Sequence, residues 1–144
     1  MMVNSKNKGS GYERDLVKHL NEKVNAGNFK RIPGSGAIGT NMGESMLTGD
    51  ITGKVSGLPK PLKIEAKVGY GGEKQLAFKR EWLNKIMQEA QLNYSMPVVI
   101  CKFSGARRAD GVQEFVALDI DTFIYLLNLI SDLDEELKRY QKEK

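Results

Sequence analysis

The spacing of apolar residues along the chain predicts an alternation of helices and strands. Apolar side chains recur every three or four positions from Tyr12 to about Ala26, from Gln75 to Tyr94 and from Asp119 to about Tyr140, which predicts three helices. Short apolar runs between them have the composition of β-strands, at 28–32, after 50, and at 62–68, 98–103 and 113–118. This order predicts an α/β fold in which helices flank a central mixed sheet of four or five strands.

Two stretches of the chain follow neither period. Residues 1–10 are polar, and we expect them to form a flexible lead-in. Residues 33–49 contain five glycines and predict a mobile loop, and loops of this length inside a compact domain usually bind something. The length of 144 residues predicts one domain, 1–144, with a single core.

The composition narrows the class of protein. The longest apolar run, from Phe123 to Ile130 and broken only by Asn128, is far shorter than the roughly 20 residues that span a bilayer. The first ten residues also lack the apolar core of a signal peptide. We therefore expect a soluble, cytoplasmic protein without a membrane partner. Its one cysteine, Cys101, lies in an apolar run and predicts a small buried hydrophobe.

The positive charge is concentrated in the first half of the chain. The net charge is +4, but residues 1–67 hold 11 Lys and Arg against 6 Asp and Glu, whereas residues 68–144 hold 11 against 12. A basic surface attracts polyanions, so this excess of +5 favours a nucleic-acid partner on the first half. The last predicted helix is acidic, and we expect it to avoid the nucleic acid.

Three charged groups in the stretch from Gly49 to Lys67 suggest chemistry. Glu65 and Lys67 are two apart in a predicted strand and therefore share one face, while apolar residues line the other face. Asp50 begins the preceding strand, and the Gly/Pro-rich turn at 56–61 lets the two strands pair antiparallel. The two carboxylates are thus predicted to lie side by side and to form a cation site.

This set fits metal-assisted hydrolysis of a phosphodiester. The carboxylates of Asp50 and Glu65 and the backbone carbonyl of Ala66 are hard oxygen ligands, which suit Mg²⁺ or Mn²⁺. Lys67 would hold the attacking water or help to deprotonate it. The 33–49 loop precedes Asp50, so its backbone amides and Ser35 could meet a phosphate.

Two further features have alternative interpretations. Glu13 falls on the apolar stripe of the first helix, either as a solvated acid that favours the positive end of the helix dipole or as a third acid at the metal site. The last helix carries a wider apolar face than one core contact needs, which suggests a homodimer.

Four segments together give a specific resemblance. The order KGSGYERDLVKHL, FKRIPGSGA, GDITG and LKIEAK resembles the archaeal-type, Hjc-like Holliday junction resolvases of the PD-(D/E)xK superfamily. The match covers roughly residues 8–67. It departs from that family in the longer loop before Asp50 and in Gly49, which stands where the family usually has proline. The resemblance implies a restriction-endonuclease-like fold, a homodimer and a four-way DNA junction as substrate.

The resemblance also implies a role for individual residues. Metal binding would fall to Glu13, Asp50 and Glu65, and Lys67 would assist the water. Contacts to DNA would come from Lys8, Arg14, Arg31 and Ser35.

Three interpretations of function follow from these observations. The first is a Mg²⁺-dependent endonuclease that resolves Holliday junctions by paired cuts. The second is another nuclease of the same superfamily, of the restriction or repair type. The third is a DNA- or junction-binding module without catalysis, although such a module would not need all of Glu13, Asp50, Glu65 and Lys67.

Overall fold

The computed structural model describes residues 5–32 and 50–143, and the predicted 33–49 loop lies outside the described residues. The elements alternate as the apolar pattern predicts. In chain order they are α1 (Ser5–Lys23), β1 (Gly27–Arg31), β2 (Ile51–Val55), β3 (Leu62–Val68), α2 (Arg80–Leu92), β4 (Met96–Lys102), a short 3₁₀ helix (Arg108–Asp110), β5 (Glu114–Ala117) and α3 (Ile120–Glu143).

The described strands form one mixed sheet in the order β1-β2-β3-β4-β5. Strands β1, β2 and β3 are joined in antiparallel pairs, and β5 pairs antiparallel with β4. Strands β3 and β4 are parallel, with α2 between them in the chain. Parallel neighbours need a long crossover, and a helix supplies it. The α/β fold with a mixed sheet is confirmed.

The sheet is covered on both faces. On one face, Ile64 of β3 packs with Tyr12 and Leu16 of α1, and on the other, Trp82 and Ile86 of α2 pack against β4. The two faces of β3 are therefore different: its apolar residues lie under α1, and its charged residues lie on the α2 side. This is the sorting that the alternation along residues 62–68 predicts.

Helices α1 and α2 differ from the prediction in their boundaries. Helix α1 begins at Ser5, so residues 5–10, expected to be part of a flexible lead-in, are helical. It ends at Lys23, because Ala26 adopts a left-handed φ of 53° that a helix cannot continue. Helix α2 begins at Arg80 rather than near Gln75. The preceding segment folds back instead, and the Ala77 N–H donates to the Tyr70 carbonyl at 2.7 Å.

Helix α3 differs from the other helices in its surroundings. Every residue from 130 to 143 is exposed, whichever side of the helix it occupies. Thr122, in the first turn, is buried, and its N–H and hydroxyl both donate to Asp119, the residue before the helix. No helix within the described ranges is long and apolar enough to cross a membrane.

Candidate active site

The pairing of β2 with β3 brings Asp50 beside Glu65. Ile51 lies opposite Ile64, and just before β2 the Asp50 N–H donates to the Ile64 carbonyl at 3.0 Å. The Asp50 carboxylate is fixed in turn, because its Oδ2 accepts the Ala66 N–H at 2.7 Å. Backbone hydrogen bonds to Ile64 and Ala66 of β3 thus fix Asp50 beside Glu65, as the predicted antiparallel pairing requires.

Glu65 is a buried carboxylate with a shortage of partners. Its side chain is only 5% exposed, and its Oε1 lies 3.3 Å from the Lys67 Nζ and 3.8 Å from the Lys85 Nζ. Its Oε2 is buried and accepts no hydrogen bond from the described residues. A buried carboxylate oxygen without a donor is costly, so Oε2 is suited to bind a further cation besides the two lysines.

The pKa of Asp50 is raised by its burial and by the neighbouring acids. Burial, followed by the nearby charge of Glu65, raises the pKa of Asp50 to about 7. The charge of Glu13 acts in the same direction, while the Ala66 N–H and Lys67 lower it. Two carboxylates this close repel, and a divalent cation between them would remove the repulsion.

Lys67 is held as an ammonium group. Burial opposes its charge, but Glu65 and Tyr70 outweigh that effect, and the pKa of Lys67 is raised. Its Nζ also lies 5.2 Å from the centre of the Trp82 ring, an arrangement that favours a cation. Of the two predicted roles for Lys67, holding a water or phosphate oxygen fits a charged amine, whereas taking a proton does not.

The donor set fits a hard divalent cation at Asp50 and Glu65. Both supply carboxylate oxygens, the ligands that Mg²⁺ and Mn²⁺ prefer, and the described residues offer no His/Cys cluster suited to zinc. Nor do the described residues contain any group of three acids, His or Cys placed to hold a metal together. The pair, with the backbone of Ala66 beside it, is therefore the part of the predicted metal set that the structure brings together.

Glu13, the predicted third acid, lies in a separate ion pair. Its Oε2 accepts from Arg31 Nη2 at 3.0 Å and from Arg31 Nε at 3.3 Å, and Arg31 Nη2 also donates to Ser10 Oγ at 2.8 Å. Arg31 is the residue opposite Ile51 in the β1–β2 ladder, so the pair lies next to Asp50 along the sheet. The carboxylate is close enough to affect Asp50 electrostatically.

The other predicted DNA contacts are only partly described. Arg14 is exposed on α1, one position from Glu13. Lys8 lies within α1, but its side chain is outside the described part, and so is Ser35 as a whole. Arg31 donates to Glu13 and Ser10, and its side chain is 36% exposed.

Sequence reasoning missed the contribution of α2. Lys85 and Glu89 of this helix reach the α2 side of β3, where Lys85 contacts both Glu65 and Glu89. Burial, with added repulsion from Glu65, raises the pKa of Glu89, and its Oε2 is buried without a hydrogen bond from the described residues. The available signal was the i,i+4 spacing of these charges beside the stripe of Trp82, Ile86 and Ala90.

Cys101 takes no part in this chemistry. It is fully buried against α2, and burial raises the pKa of its thiol to about 11. The prediction of a small buried hydrophobe is confirmed.

Comparison with known proteins identifies one matching family. A family described as "Phage putative PDDEXK endonuclease" matches residues 4–142, nearly the whole chain. Among curated proteins, none matches this chain. The name PDDEXK denotes a proline and an acid, followed later by a second acid, any residue and a lysine, and the triplet Glu65-Ala66-Lys67 has the spacing of the second part.

Proposed function

The chain belongs to the phage PDDEXK endonuclease family, and we propose that it is a metal-dependent endonuclease that hydrolyses phosphodiester bonds in DNA, with Mg²⁺ as the working ion. The fold is the restriction-endonuclease-like α/β core expected of this superfamily. Family membership supports a nuclease, and the ion, the form of DNA and the assembly are parts of the proposal.

One observation carries this proposal. Asp50 and Glu65 are side by side, partly or wholly buried, and one Glu65 oxygen accepts no hydrogen bond from the described residues. A purely structural role would leave no buried carboxylate oxygen without a donor, since such an oxygen destabilises a fold. The arrangement is explained if the two acids bind a divalent cation together with DNA.

Each residue then has a separate task. Asp50 and Glu65 hold the ion, which when bound lowers the pKa of a water and offsets charge on the phosphate. Lys67, fixed as an ammonium by Glu65 and the Trp82 ring, orients the attacking water or a phosphate oxygen through its hydrogen-bond donors. Its charge counters the negative charge that builds up on the phosphate in the transition state.

The Glu13–Arg31 pair provides a way to respond to DNA. A phosphate can compete with Glu13 for Arg31, since guanidinium groups bind both anions by paired hydrogen bonds. Glu13 would then be released next to Asp50 and could join the metal ligands. This assigns Arg31 to phosphate binding and Glu13 to the metal in the DNA complex, with Arg14, Lys8 and Ser35 as further DNA contacts.

The form of DNA we propose is the four-way junction, cut by two copies of the chain acting on opposed strands. The support is the resemblance of residues 8–67 to junction resolvases and the basic excess of the first half of the chain. A resolvase must cut two strands, so it needs two sites, and a homodimer supplies them.

A cleavage assay with the purified chain tests this proposal. Synthetic four-way junction, linear duplex and single-stranded DNA are compared in Mg²⁺, in Mn²⁺ and in EDTA. The expected result is paired nicks in the junction that require the metal. Equal cutting of linear duplex would favour a restriction- or repair-type nuclease, while tight binding without cutting in either metal would favour a binding module.

A further inference from the structure

The second half of α3 carries a long apolar stripe that the fold leaves exposed. The helix has 24 residues, about 36 Å at 1.5 Å per residue. Ile130, Leu133 and Leu137 are 65, 46 and 53% exposed, and the polar residues around them in this part of the helix are exposed as well. An apolar stripe on a helix that projects from its own domain is expected to be covered by something else.

The spacing of this stripe indicates what covers it. Apolar residues recur at alternating intervals of three and four over about two and a half heptads. They define a seam of Phe123, Leu126, Ile130, Leu133, Leu137 and Tyr140. A sustained 3.5-residue repeat keeps a seam facing another helix of the same kind, as in a coiled coil. Leu126 is partly buried, and its neighbour Leu127, 50% exposed, widens the seam on the solvent side.

The charges along α3 indicate the direction of the partner helix. Residues 132–136 hold four acids and no base, whereas Lys138, Arg139 and Lys142 form a basic end. In a parallel pair of identical helices, the two acidic blocks would lie at the same level and repel. In an antiparallel pair centred between Ser131 and Asp132, each acidic block would lie level with the uncharged segment 127–131 of the other copy.

The antiparallel arrangement also satisfies the ends of the helix. In that register the partner's Leu133 lies opposite Ile130, the partner's Leu137 opposite Leu126, and the partner's Tyr140 opposite Phe123. The basic end of each helix then reaches the level of Asp121 of the other copy, at the start of the helix. Apolar layers and opposite charges therefore agree on one register.

From this agreement we propose that α3 pairs with α3 of a second copy as an antiparallel, two-helix coiled coil along the seam. The pairing deepens the homodimer of the proposed function, but it depends on no DNA or metal. Its two-fold axis crosses the middle of α3, so the two catalytic domains lie at opposite ends of the paired helices.

The mass of the full chain in solution tests the pairing. We expect light scattering across about 1–100 μM protein to give twice the chain mass of 16.1 kDa at the upper end. Ile130→Asp places a charge in the seam and should weaken dimerisation at least 30-fold. Ser131→Asp adds the same charge one position away, outside the seam, and should leave dimerisation within about 3-fold of the native chain.

Both positions are exposed, so neither variant removes a contact of the domain core, and circular dichroism checks that each retains the fold. A native chain that stays monomeric at 100 μM would overturn the pairing, as would equal effects of the two variants.

Crosslinking through introduced cysteines tests the direction. When Phe123→Cys and Tyr140→Cys proteins are mixed under mild oxidation, the antiparallel register predicts a crosslink between the two different variants. Each variant alone should give little product, because the two copies of either position lie at opposite ends of the pair. The native chain controls for Cys101, which is fully buried.

Efficient crosslinking of Phe123→Cys to itself would show a parallel pair and contradict the proposal. Because none of these measurements uses DNA, failure of the pairing and failure of the nuclease function are distinguishable. If a stable monomer cleaves DNA, the nuclease function holds and the α3 pairing is wrong.

Discussion

Two charged clusters lie near each other beside strands β1 to β3. They differ in how completely their charged groups are paired. In the cluster of Ser10, Glu13 and Arg31, one acid meets one guanidinium through two hydrogen bonds, and the serine accepts a third. In the cluster of Asp50 and Glu65, two acids lie side by side, and the buried Oε2 of Glu65 accepts no hydrogen bond from the described residues. The first cluster is electrostatically satisfied as it stands, whereas the second keeps an oxygen without a donor and a repulsion between two acids, which a bound cation would relieve.

The difference distinguishes acids that are buried in excess, Asp50 and Glu65, from an acid that is already paired, Glu13. The sequence alone does not distinguish them. A buried acid in excess is ready to bind a metal before DNA arrives, because binding relieves existing repulsion. A paired acid must first lose its arginine. We therefore propose that Asp50 and Glu65 bind the metal in the free protein and that Glu13 contributes only after DNA is bound.

The largest expected effect comes from removing one charge of the unsatisfied pair. Asp50→Asn keeps an oxygen that can accept the Ala66 N–H but weakens the metal site, so we expect cleavage to fall at least about 10³-fold. DNA binding should stay within a few-fold of the native chain. The measurement is single-turnover cleavage in Mg²⁺, with Glu81→Gln, an exposed acid on α2, as the matched control. Retained cutting would remove Asp50 from the metal site.

The next effect distinguishes the two lysines that contact the same Glu65 oxygen. Lys67→Ala should lower the cleavage rate about 10²-fold, because this ammonium is also placed by the Trp82 ring. Lys85 is more than half exposed and 3.8 Å from Glu65 Oε1, so Lys85→Ala should change the rate less than about 3-fold. Equal losses in single-turnover assays would mean that α2 contributes a catalytic group.

A smaller effect is expected at the satisfied cluster. Glu13→Gln should lower cleavage about 10-fold, since it would remove a ligand recruited only with DNA. Metal binding to the DNA-free protein, measured by calorimetry, should be unchanged. Glu22→Gln, an exposed acid on the same helix, is the control. A loss as large as that of Asp50→Asn, with weaker metal binding, would contradict the distinction between the clusters.

The smallest effect is on stability and depends on pH. Asp50 holds a proton up to about pH 7 in the folded chain, but only to its ordinary pKa near 3.8 when unfolded. The free energy of unfolding therefore falls as the pH rises from about 4 to about 7. Above pH 7, Asp50 causes no further loss of stability. In EDTA, Asp50→Asn should be about 1–2 kcal/mol more stable than the native chain at pH 8.

The same difference should shrink towards zero near pH 4. Urea unfolding at both pH values measures it, with Asp132→Asn on exposed α3 as the control. A variant that is less stable than the native chain at pH 8 would mean that Asp50 is not under electrostatic strain in the absence of metal.

Much of the site could be predicted because it depends on local sequence. The alternation in residues 62–68 places Glu65 and Lys67 on one face, and the turn at 56–61 brings Asp50 alongside. The approach of α2 could not be predicted in the same way. Lys85 reaches Glu65 only because the β3–β4 crossover lays α2 on that face, a contact between positions 20 apart in the chain.

Helix boundaries were the least predictable part of the fold. The apolar stripe reached back to Gln75, yet α2 starts at Arg80 because Ala77 hydrogen-bonds Tyr70 and turns the chain. Conversely, no apolar residue marked residues 5–10, yet α1 includes them. Periodicity reports which side chains pack, whereas the ends of helices depend on hydrogen bonds made elsewhere in the structure.

The sequence by itself determined the α/β architecture, the sorted faces of β3 and the pairing of Asp50 with Glu65, because these follow from periods of two and 3.6 residues and from one turn. Only the tertiary structure decided which charged groups of the site are buried and which are paired. It buried Glu65, left one of its oxygens without a donor, and gave Arg31 to Glu13. Burial and partner choice are long-range properties, and they separate an acid prepared for a metal from one already paired.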